Sequence, residues 1–144
     1  MEEIEVTKPD DWHVHFRDNE IMKAVVPETT RHFARAIVMP NLAKPILNGK
    51  QAIKYKEKIL KATPKTDNFE PLMTIYLTEK TNKSELKESY YTEAVFAVKL
   101  YPAGATTNSD SGVKDIKKIM PVLETMTEIG MPLLIHGEVT DKEV

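Results

Sequence analysis

The chain has 144 residues, a net charge of −2 and no cysteine, so it has the length of one domain and can form neither disulfides nor thiolate metal sites. Hydrophobic residues make up 41% of the chain and charged residues 29%, an ordinary globular balance, and no basic stripe suggests nucleic acid or a membrane surface. The acidic N-terminus is unlike a secretory signal, and no apolar run approaches the roughly 20 residues of a membrane helix, so we expect a soluble, cytoplasmic protein.

Short apolar segments alternate with longer helical segments in the first half of the chain. A strand is predicted at Asp11–Arg17, followed by a helix over Glu20–Phe33. A second strand, Arg35–Met39, ends at Pro40-Asn41. The helix that follows, about Lys50–Ala62, carries apolar residues that can form one stripe.

The same alternation continues in the second half. Strands are predicted at Leu72–Leu77 and Ala94–Leu100, with a short helix around Ser84–Ser89 between them. A loop of small polar residues, Tyr101–Gly112, precedes the next helix, and a last strand is predicted at Met131–His136.

The helix before the last strand shows a clear apolar face. Its members, at positions i, i+3, i+4 and i+7, are Ile116, Ile119, Met120 and Leu123. Pro121 predicts a kink or a restart inside this helix, and Gly130 predicts its C-terminal stop.

The alternation of strands and helices predicts an α/β fold with a parallel sheet, because parallel neighbours need a crossover between them. We expect residues 1–144 to be the N-terminal portion of a single domain. Five βα units fit an open doubly wound sheet, and they also fit part of an eight-stranded (β/α) barrel. The rhythm alone does not choose between these two folds.

The first candidate site residues are two histidines on the first strand. Residues i and i+2 of a strand share a face, so His13 and His15 are predicted on one face, and Trp12, Val14 and Phe16 on the other. Two imidazoles on one face can hold one metal ion. The alternative is a pair of core or surface histidines without a ligand, so the pair alone is not specific.

Lys99 and His136 each close an apolar strand. Burial lowers the pKa of an amine, and a neutral lysine can be carboxylated by carbon dioxide to give an anionic oxygen donor for metals. The alternatives are a lysine that reaches water at the strand end and a satisfied core histidine. His32, near the end of the first helix, is predicted on the surface and is assigned no function.

The joint pattern is more specific than its parts. His13, His15, Lys99 and His136 fall at the carboxyl ends of predicted strands one, four and five, and Asn41 lies just past strand two. In a (β/α) barrel these positions face one mouth, which is where active sites of this fold lie.

Several segments extend the pattern into a family resemblance. They are DWHVHFRD, AIVMPNL, PLMTIYLT, VKLYPAGATTNS and IMPVLE with IGMPLLIHGEV. From near Lys8 to Val144 the chain resembles the short bacterial-type dihydroorotases of the amidohydrolase superfamily, in that family's order and spacing. The H-x-H pair alone would admit hydantoinases, allantoinases and many deaminases, whereas HVHFRD with MPN and KLYPxxATTN narrows the resemblance to dihydroorotase.

The resemblance implies a TIM-type (β/α)8 barrel, of which this chain would cover about strands 1–5, and two divalent metal ions, with zinc as the expected metal. His13 and His15 would bind the more buried metal. Lys99, as N6-carboxylysine, would bridge both metals, and His136 would bind the second. Tyr101 would lie against the substrate region.

The resemblance also implies substrate-binding residues. Arg17 and Asn41 would bind the substrate carboxylate, which suits the bidentate fork of a guanidinium. The alternatives are an Arg17–Asp18 salt bridge and a simple turn at Asn41. Thr106 and Thr107 would lie in a mobile loop that closes over substrate, unless the loop is an ordinary connector.

The reaction implied is the reversible, metal-dependent hydrolysis of the cyclic amide of dihydroorotate to N-carbamoyl-aspartate in pyrimidine biosynthesis. In the family, the general-base aspartate follows the eighth strand and a further histidine ligand follows the sixth, whereas this sequence stops at Val144. We therefore expect no general base in this chain, a catalytically incomplete protein, and a fragment or clipped product that needs a complementary C-terminal chain. The family's habit also implies a homodimer.

Two other functions remain open from the sequence. A hydantoinase-like cyclic amidohydrolase is disfavoured by Arg17 and Asn41, which suit an anionic substrate. A non-catalytic, dihydroorotase-like remnant or scaffolding subunit is a different class of function. Metal content distinguishes this last possibility from an enzyme, because a remnant needs no metal.

Overall fold

A computed structural model describes residues 3–138 of the chain; residues 1–2 and 139–144, at the two ends of the predicted domain, lie outside this description. The described residues form five strands and four helices in alternation. The elements are β1 (Asp10–Val14), α1 (Asn19–Thr30), β2 (Arg35–Val38), α2 (Gly49–Ala62), β3 (Glu70–Tyr76), α3 (Lys83–Tyr91), β4 (Ala97–Leu100), α4 (Ile116–Ile129) and β5 (Leu133–Ile135).

The strands form one parallel sheet that curls into a half-barrel. Its order is β1-β2-β3-β4-β5, and each strand pairs in parallel with the next. The helices pack against one another in the same order, α1 on α2, α2 on α3 and α3 on α4. A doubly wound sheet would reverse its strand order and carry helices on both faces. The alternation of elements left two folds open, and the structure is the (β/α) barrel type that the family resemblance implied.

Sequence signals at the helix starts explain why the helices begin where they do. Each helix follows an Asp or Asn whose side chain accepts a hydrogen bond from a backbone N–H of the first turn. These residues are Asp18, Asn48, Asn82 and Asp115. Such caps satisfy donors that the helix leaves free, and each contributes about 1 kcal/mol to stability.

The main core lies between the sheet and the helices. On the strands it takes alternate residues, namely Ala36, Val38, Met73, Ile75, Val98 and Leu100. Each helix adds a fully buried side chain, and Val26, Ile59, Leu86 and Ile119 are at most 1% exposed. Burial of such a side chain stabilises the fold by roughly 1.5–3 kcal/mol, so this outer face holds the sheet and helices together.

The opposite, inner face of the sheet packs separately. Its buried apolar and aromatic residues are Ile37, Met39, Tyr76, Ala97 and Tyr101, and all lie outside the helix-side core. They alternate along β2, β3 and β4 with the residues that face the helices, as the two-residue period of a strand requires. The concave side of the half-barrel is thus formed by this inner face.

A bulge in β1 corrects one predicted orientation. Asp11 pairs with Ala36 and Val14 with Val38, so two residues of β1, Trp12 and His13, lie opposite a single residue of β2. Strict alternation is broken there, and the prediction that Trp12 faces away from His13 is wrong. Trp12 is 69% exposed and borders a small cleft near the start of the strands.

Four strands are shorter than predicted. β2 ends at Val38 rather than Met39, and β5 spans Leu133–Ile135 rather than Met131–His136. β1 ends at Val14 rather than Arg17, whose backbone takes a left-handed conformation with φ 59°. β4 begins at Ala97 rather than Ala94, since the N–H of Val95 donates to the Ser89 carbonyl at 3.1 Å and so closes the end of α3.

The two signals read from α4 have different outcomes. Of the kink or restart predicted at Pro121, the restart is wrong, because the helix runs without interruption through Pro121, and the kink stays a prediction. Gly130 does end the helix, with φ 70° in the left-handed region that glycine adopts without steric cost. Across residues 3–138, no helix is both long and apolar enough to span a membrane.

The helix-side core predicts how two isoleucines of α2 differ. Ile59 is fully buried, whereas Ile53 on the same helix is 46% exposed. We expect Ile59→Ala to lower the free energy of unfolding by about 2–5 kcal/mol, because it removes buried methyl groups and leaves a cavity. Ile53→Ala is the control and should cost much less. Urea unfolding followed by circular dichroism measures both, and equal losses would contradict the packing of α2.

Candidate functional site

The carboxyl ends of the strands gather polar side chains on the inner face. His13 and Lys99 are the penultimate residues of β1 and β4, His15 and His136 immediately follow β1 and β5, and Asn41 follows β2. These positions agree with the convergence predicted from the sequence, because the carboxyl ends of parallel strands lie along one edge of the sheet. We call this edge the rim.

The two histidines of the β1 segment lie together. Nε2 of His13 is 3.1 Å from Nε2 of His15. Two nitrogens bound tetrahedrally to one zinc ion, each at about 2.0–2.1 Å, lie about 3.3 Å apart. The pair therefore has a spacing that fits two ligands of a single ion.

Both imidazoles favour the neutral form. Burial, the neighbouring Arg17 charge and His13 lower the pKa of His15 to about 4, against a smaller opposing influence of Asn41. Burial and the positive charge of Lys99 lower the pKa of His13. A neutral imidazole is the form that binds metal, so the environment prepares both residues as ligands.

Lys99 is buried at the rim. Its residue is 3% exposed, and its Nζ lies 5.4 Å from the ring centroid of Tyr101. Burial lowers the pKa of this amine. The alternative of a lysine that extends to water at the strand end does not describe this side chain.

His136 is near the rim but faces a carboxylate. Its backbone N–H donates to the Leu100 carbonyl at 2.9 Å, and its Nε2 lies 2.7 Å from Oε2 of Glu138. Within residues 3–138, no three His, Asp or Glu side chains converge into a metal-binding group. The structure thus brings the predicted ligands to one rim but joins only His13 and His15 into a pair.

Arg17 lies in the turn that leads from β1 into α1. The predicted alternative, an Arg17–Asp18 salt bridge, is not formed, because Asp18 pairs with Lys58 at 2.9 Å. Arg17 lies two residues after His15, and its positive charge lowers the pKa of His15. Arg17 is therefore located where an anion at the rim would meet it.

Asn41 joins the rim to the loop that follows β4. Its residue is 2% exposed, and its Nδ2 donates to the Thr107 carbonyl at 2.9 Å. In return, Nδ2 of Asn108 donates to the Asn41 carbonyl at 3.1 Å. Asn41 is thus more than a turn after Pro40, since it holds the loop against the rim.

The loop itself is compact in this structure. Ser109 is fully buried, and its hydroxyl accepts from the backbone N–H of Thr106 at 2.8 Å. A bridge between Pro102 and Val113 closes the loop at its base. Thr106 is half-buried and Thr107 exposed, so the two predicted substrate contacts lie on a folded loop above the inner face. Loop mobility stays a prediction.

Two tyrosines add a feature that the sequence reasoning underrated. Tyr76 and Tyr101 stack with centroids 5.0 Å apart and an interplanar angle of 28°. Both hydroxyls, together with Oδ1 of Asn41, are buried without a hydrogen-bond partner in the described part of the chain. Burial raises the pKa of Tyr76 to about 12, so its hydroxyl stays protonated. Strand alternation in LMTIYL was the signal that could have placed Tyr76 on the inner face.

Unpartnered buried polar atoms are costly, by about 1–3 kcal/mol each, and a folded protein keeps few of them. Three such atoms at one rim indicate a surface shaped for polar ligand atoms. By contrast, clefts of 330 and 520 Å³ among α2, α3 and β3 contain none of the predicted site residues. The rim, rather than these clefts, is the candidate site.

Comparison with known proteins identifies the family of the chain. The sequence model of the amidohydrolase family matches residues 11–144. A dihydroorotase of Ruegeria pomeroyi is 58% identical over 141 residues, which cover 98% of this chain and 41% of that protein. The chain therefore spans about two-fifths of the length of this relative.

Solved structures show the same fold. The dihydroorotase of Campylobacter jejuni superposes with a TM-score of 0.85 at 42% identity, covering 93% of this chain and 39% of that one. A Saccharomyces cerevisiae dihydroorotase, solved in complex with 5-fluoroorotic acid, gives a TM-score of 0.82 at 36% identity, covering 92% and 37%. The predicted barrel fold, with this chain as its N-terminal part, is confirmed by these likenesses.

The depressed pKa of His15 predicts a pH effect on the metal-free chain. Its folded pKa is about 4, whereas an unfolded histidine titrates near 6.5. Between these values the unfolded state binds more protons, so stability falls as pH decreases from about 6.5 towards 4. His15→Gln should make this fall shallower. Urea unfolding at several pH values measures it, and parallel curves for variant and wild type would contradict the burial of His15.

Proposed function

The chain belongs to the amidohydrolase family, and from that premise we propose that it carries part of the site of a dihydroorotase. The reaction would be the reversible hydrolysis of the cyclic amide of dihydroorotate to N-carbamoyl-aspartate, a step of pyrimidine biosynthesis. The observation that carries this proposal is the gathering of His13, His15, Arg17, Asn41 and Lys99 at one rim of the half-barrel. The chain is similar over 98% of its length to a dihydroorotase, and in such an enzyme these five residues would belong to one active site.

The nitrogen and oxygen donors at the rim suit two divalent ions, with zinc as the proposed metal. His13 and His15 would hold one ion, as their 3.1 Å spacing allows, and His136 would contribute to the second after leaving Glu138. When bound, the ions would act as Lewis acids. They would lower the pKa of a bound water so that hydroxide is available near neutral pH, and they would polarise the amide carbonyl.

Lys99 would serve as a bridging ligand in carboxylated form. Its burial and lowered pKa favour the neutral amine that reacts with carbon dioxide. The nitrogen lone pair attacks the carbon of carbon dioxide, the amine loses a proton, and an N6-carboxylysine results. This product carries a negative charge and two oxygens, whereas the free amine offers one nitrogen.

The substrate carboxylate would lie against Arg17. A guanidinium binds a carboxylate through two parallel hydrogen bonds. Asn41 would donate the second N–H of its Nδ2, whose first N–H is bonded to the Thr107 carbonyl at 2.9 Å. Thr106 and Thr107 would donate hydroxyl hydrogen bonds from the loop above. These residues would orient the small anionic substrate with its cyclic amide towards the histidine pair.

The proton between water and the ring nitrogen needs a carboxylate, and we propose that this group lies outside the chain. Glu138 is an acidic residue next to the rim, and it is paired with His136. A complementary C-terminal chain would supply the general base and would also cover β1 and β5, the edges of the described sheet. A homodimer of the assembled barrel is the proposed oligomer, in the cytoplasm.

One observation favours a second candidate function. Because the described residues contain no assembled group of three metal ligands, a non-catalytic, dihydroorotase-like scaffolding subunit remains a candidate. Stable binding of zinc favours the enzyme, and its absence favours the scaffold. A hydantoinase-like activity is the third candidate, and preference for uncharged cyclic amides would favour it.

Metal retention is the first test of the proposal. We expect the full chain, loaded with zinc and passed over a desalting column, to retain zinc in elemental analysis. Removal of a residue that hydrogen-bonds to a metal ligand lowers metal affinity roughly 10–100-fold. Removal of a ligand itself, in His13→Ala or His15→Ala, should therefore lower the zinc affinity at least as much. His32→Ala is the control, since His32 lies on the exposed surface after α1. Equal retention by all variants would contradict the metal site.

Recognition of a carboxylate is the second test. Isothermal titration of the zinc-loaded chain with 5-fluoroorotate should show binding, and Arg17→Ala should weaken it by about tenfold or more, since a charged hydrogen bond contributes about 1.5–3 kcal/mol. Arg31→Ala is the matched control, because Arg31 pairs with Glu28 on exposed α1. Unchanged binding in Arg17→Ala would contradict the carboxylate clamp.

The zinc-loaded chain also tests whether these residues alone carry a complete catalytic site. We expect no turnover of dihydroorotate by the zinc-loaded chain of verified mass, because no general base is proposed within it. Hydrolysis that Lys99→Ala abolishes would contradict this expectation and would show a complete site.

A further inference from the structure

The turn between β1 and α1 contains an unusual backbone. Arg17 has φ 59°, Asp18 is extended with φ −142°, and Asn19 has φ 54°. Asparagine tolerates the left-handed region, whereas an arginine there brings its Cβ too close to the following carbonyl oxygen. Such a residue persists only where its surroundings hold it.

Helix α2 supplies those surroundings. The hydroxyl of Tyr55 donates a 2.6 Å hydrogen bond to the carbonyl of Arg17, and Tyr55 is 3% exposed. One turn later, Nζ of Lys58 lies 2.9 Å from both carboxylate oxygens of Asp18. Residues three apart share a face of a helix, so α2 holds Arg17 and Asp18 from one side.

These contacts set the direction of the Arg17 side chain. The bond from Tyr55 fixes the peptide plane after Arg17, and the Lys58 pair fixes the next residue. With both fixed, the left-handed φ of Arg17 sets the direction of its Cα–Cβ bond, from which the guanidinium extends. Arg17 lies two residues after His15, just past the end of β1, so its side chain starts beside the rim. Tyr55 itself belongs to the helix-side core and stands behind the site.

We propose that Tyr55, assisted by Lys58, is a positioning residue that holds the left-handed Arg17 and so aims its guanidinium at the substrate carboxylate. The inference rests on the proposed function, in which Arg17 binds that carboxylate. It adds a specificity determinant that touches no substrate. Burial raises the pKa of Tyr55, so its hydroxyl remains a donor across the physiological pH range.

The test uses Tyr55→Phe in the full, zinc-loaded chain. The matched control is Tyr90→Phe, because the Tyr90 hydroxyl also donates to a backbone carbonyl, that of Gly130 at 3.2 Å, away from the rim. Isothermal titration measures binding of 5-fluoroorotate and of 5-fluorouracil, which has the same kind of ring without the carboxylate. Nuclear magnetic resonance measures the intraresidue amide-to-Hα Overhauser effect of Arg17, which is strong at positive φ.

We expect Tyr55→Phe to retain zinc and to lose the strong Overhauser effect at Arg17. Its affinity for 5-fluoroorotate should fall roughly ten- to a hundredfold, the scale of a misplaced binding group, with little change for 5-fluorouracil. A purely structural role would weaken both ligands alike and would overturn the proposal. Wild-type values in Tyr55→Phe for both the Overhauser effect and 5-fluoroorotate would also overturn it.

Two further outcomes keep the tests separate. If Tyr55→Phe does not fold, Lys58→Met examines the same turn through Asp18, with the same selective loss expected and an unchanged affinity overturning the proposal. If the wild-type chain binds no 5-fluoroorotate, the proposed function fails. If the wild-type chain binds 5-fluoroorotate and Tyr55→Phe matches the wild type in both affinity and Overhauser effect, the positioning role fails and the proposed function stands.

Discussion

Parallel pairing of each strand with the next brings the carboxyl ends of all five described strands to one rim. Because side chains alternate along a strand, every second residue faces the helices and the others line the concave side. Residues as far apart in sequence as His15 and His136 therefore lie at one edge, although β1 and β5 are not paired in the described sheet. The positions of the site residues on the strands therefore depend on how the strands of the sheet pair with one another.

The rim collects groups that destabilise a fold when they stand alone. The pKa values of His13, His15 and Lys99 are all lowered, with burial as the largest cause. Two tyrosine hydroxyls and an amide oxygen are buried there without a partner among the described residues. The apolar contacts between the sheet and the helices offset these costs. Stability and function are thus assigned to opposite faces of the same strands.

Not every part of the rim is held by strands. Arg17 follows the end of β1, and its position depends on the Tyr55 hydroxyl of α2. The loop after β4 depends on Asn41, which bonds the Thr107 carbonyl. Both contacts join segments that are distant in sequence, and both act on backbone groups. The strands therefore place the proposed metal ligands, and tertiary hydrogen bonds place the proposed substrate ligands.

The limits of sequence reasoning follow from the range of each interaction. Strand alternation is local, so it placed His13 and His15 on one face, but it misplaced Trp12, because a bulge depends on pairing with β2. It left open whether Lys99 is buried or reaches water at the strand end, and only the structure shows that Lys99 is buried. It did not predict that His136 would turn to Glu138, since the choice between two polar neighbours is made by geometry.

The sequence by itself determined the alternation of strands and helices, the helix caps, the stop at Gly130 and the set of polar residues at strand ends, because these follow from local backbone preferences and side-chain periodicity. The family resemblance implied the barrel, but the alternation alone left a doubly wound sheet open, because that choice depends on which strands pair. The tertiary structure has the pairing of the barrel type. It also decided the left-handed backbone of Arg17 and the anchored loop, because a hydrogen bond between distant segments leaves no periodic signal in the sequence.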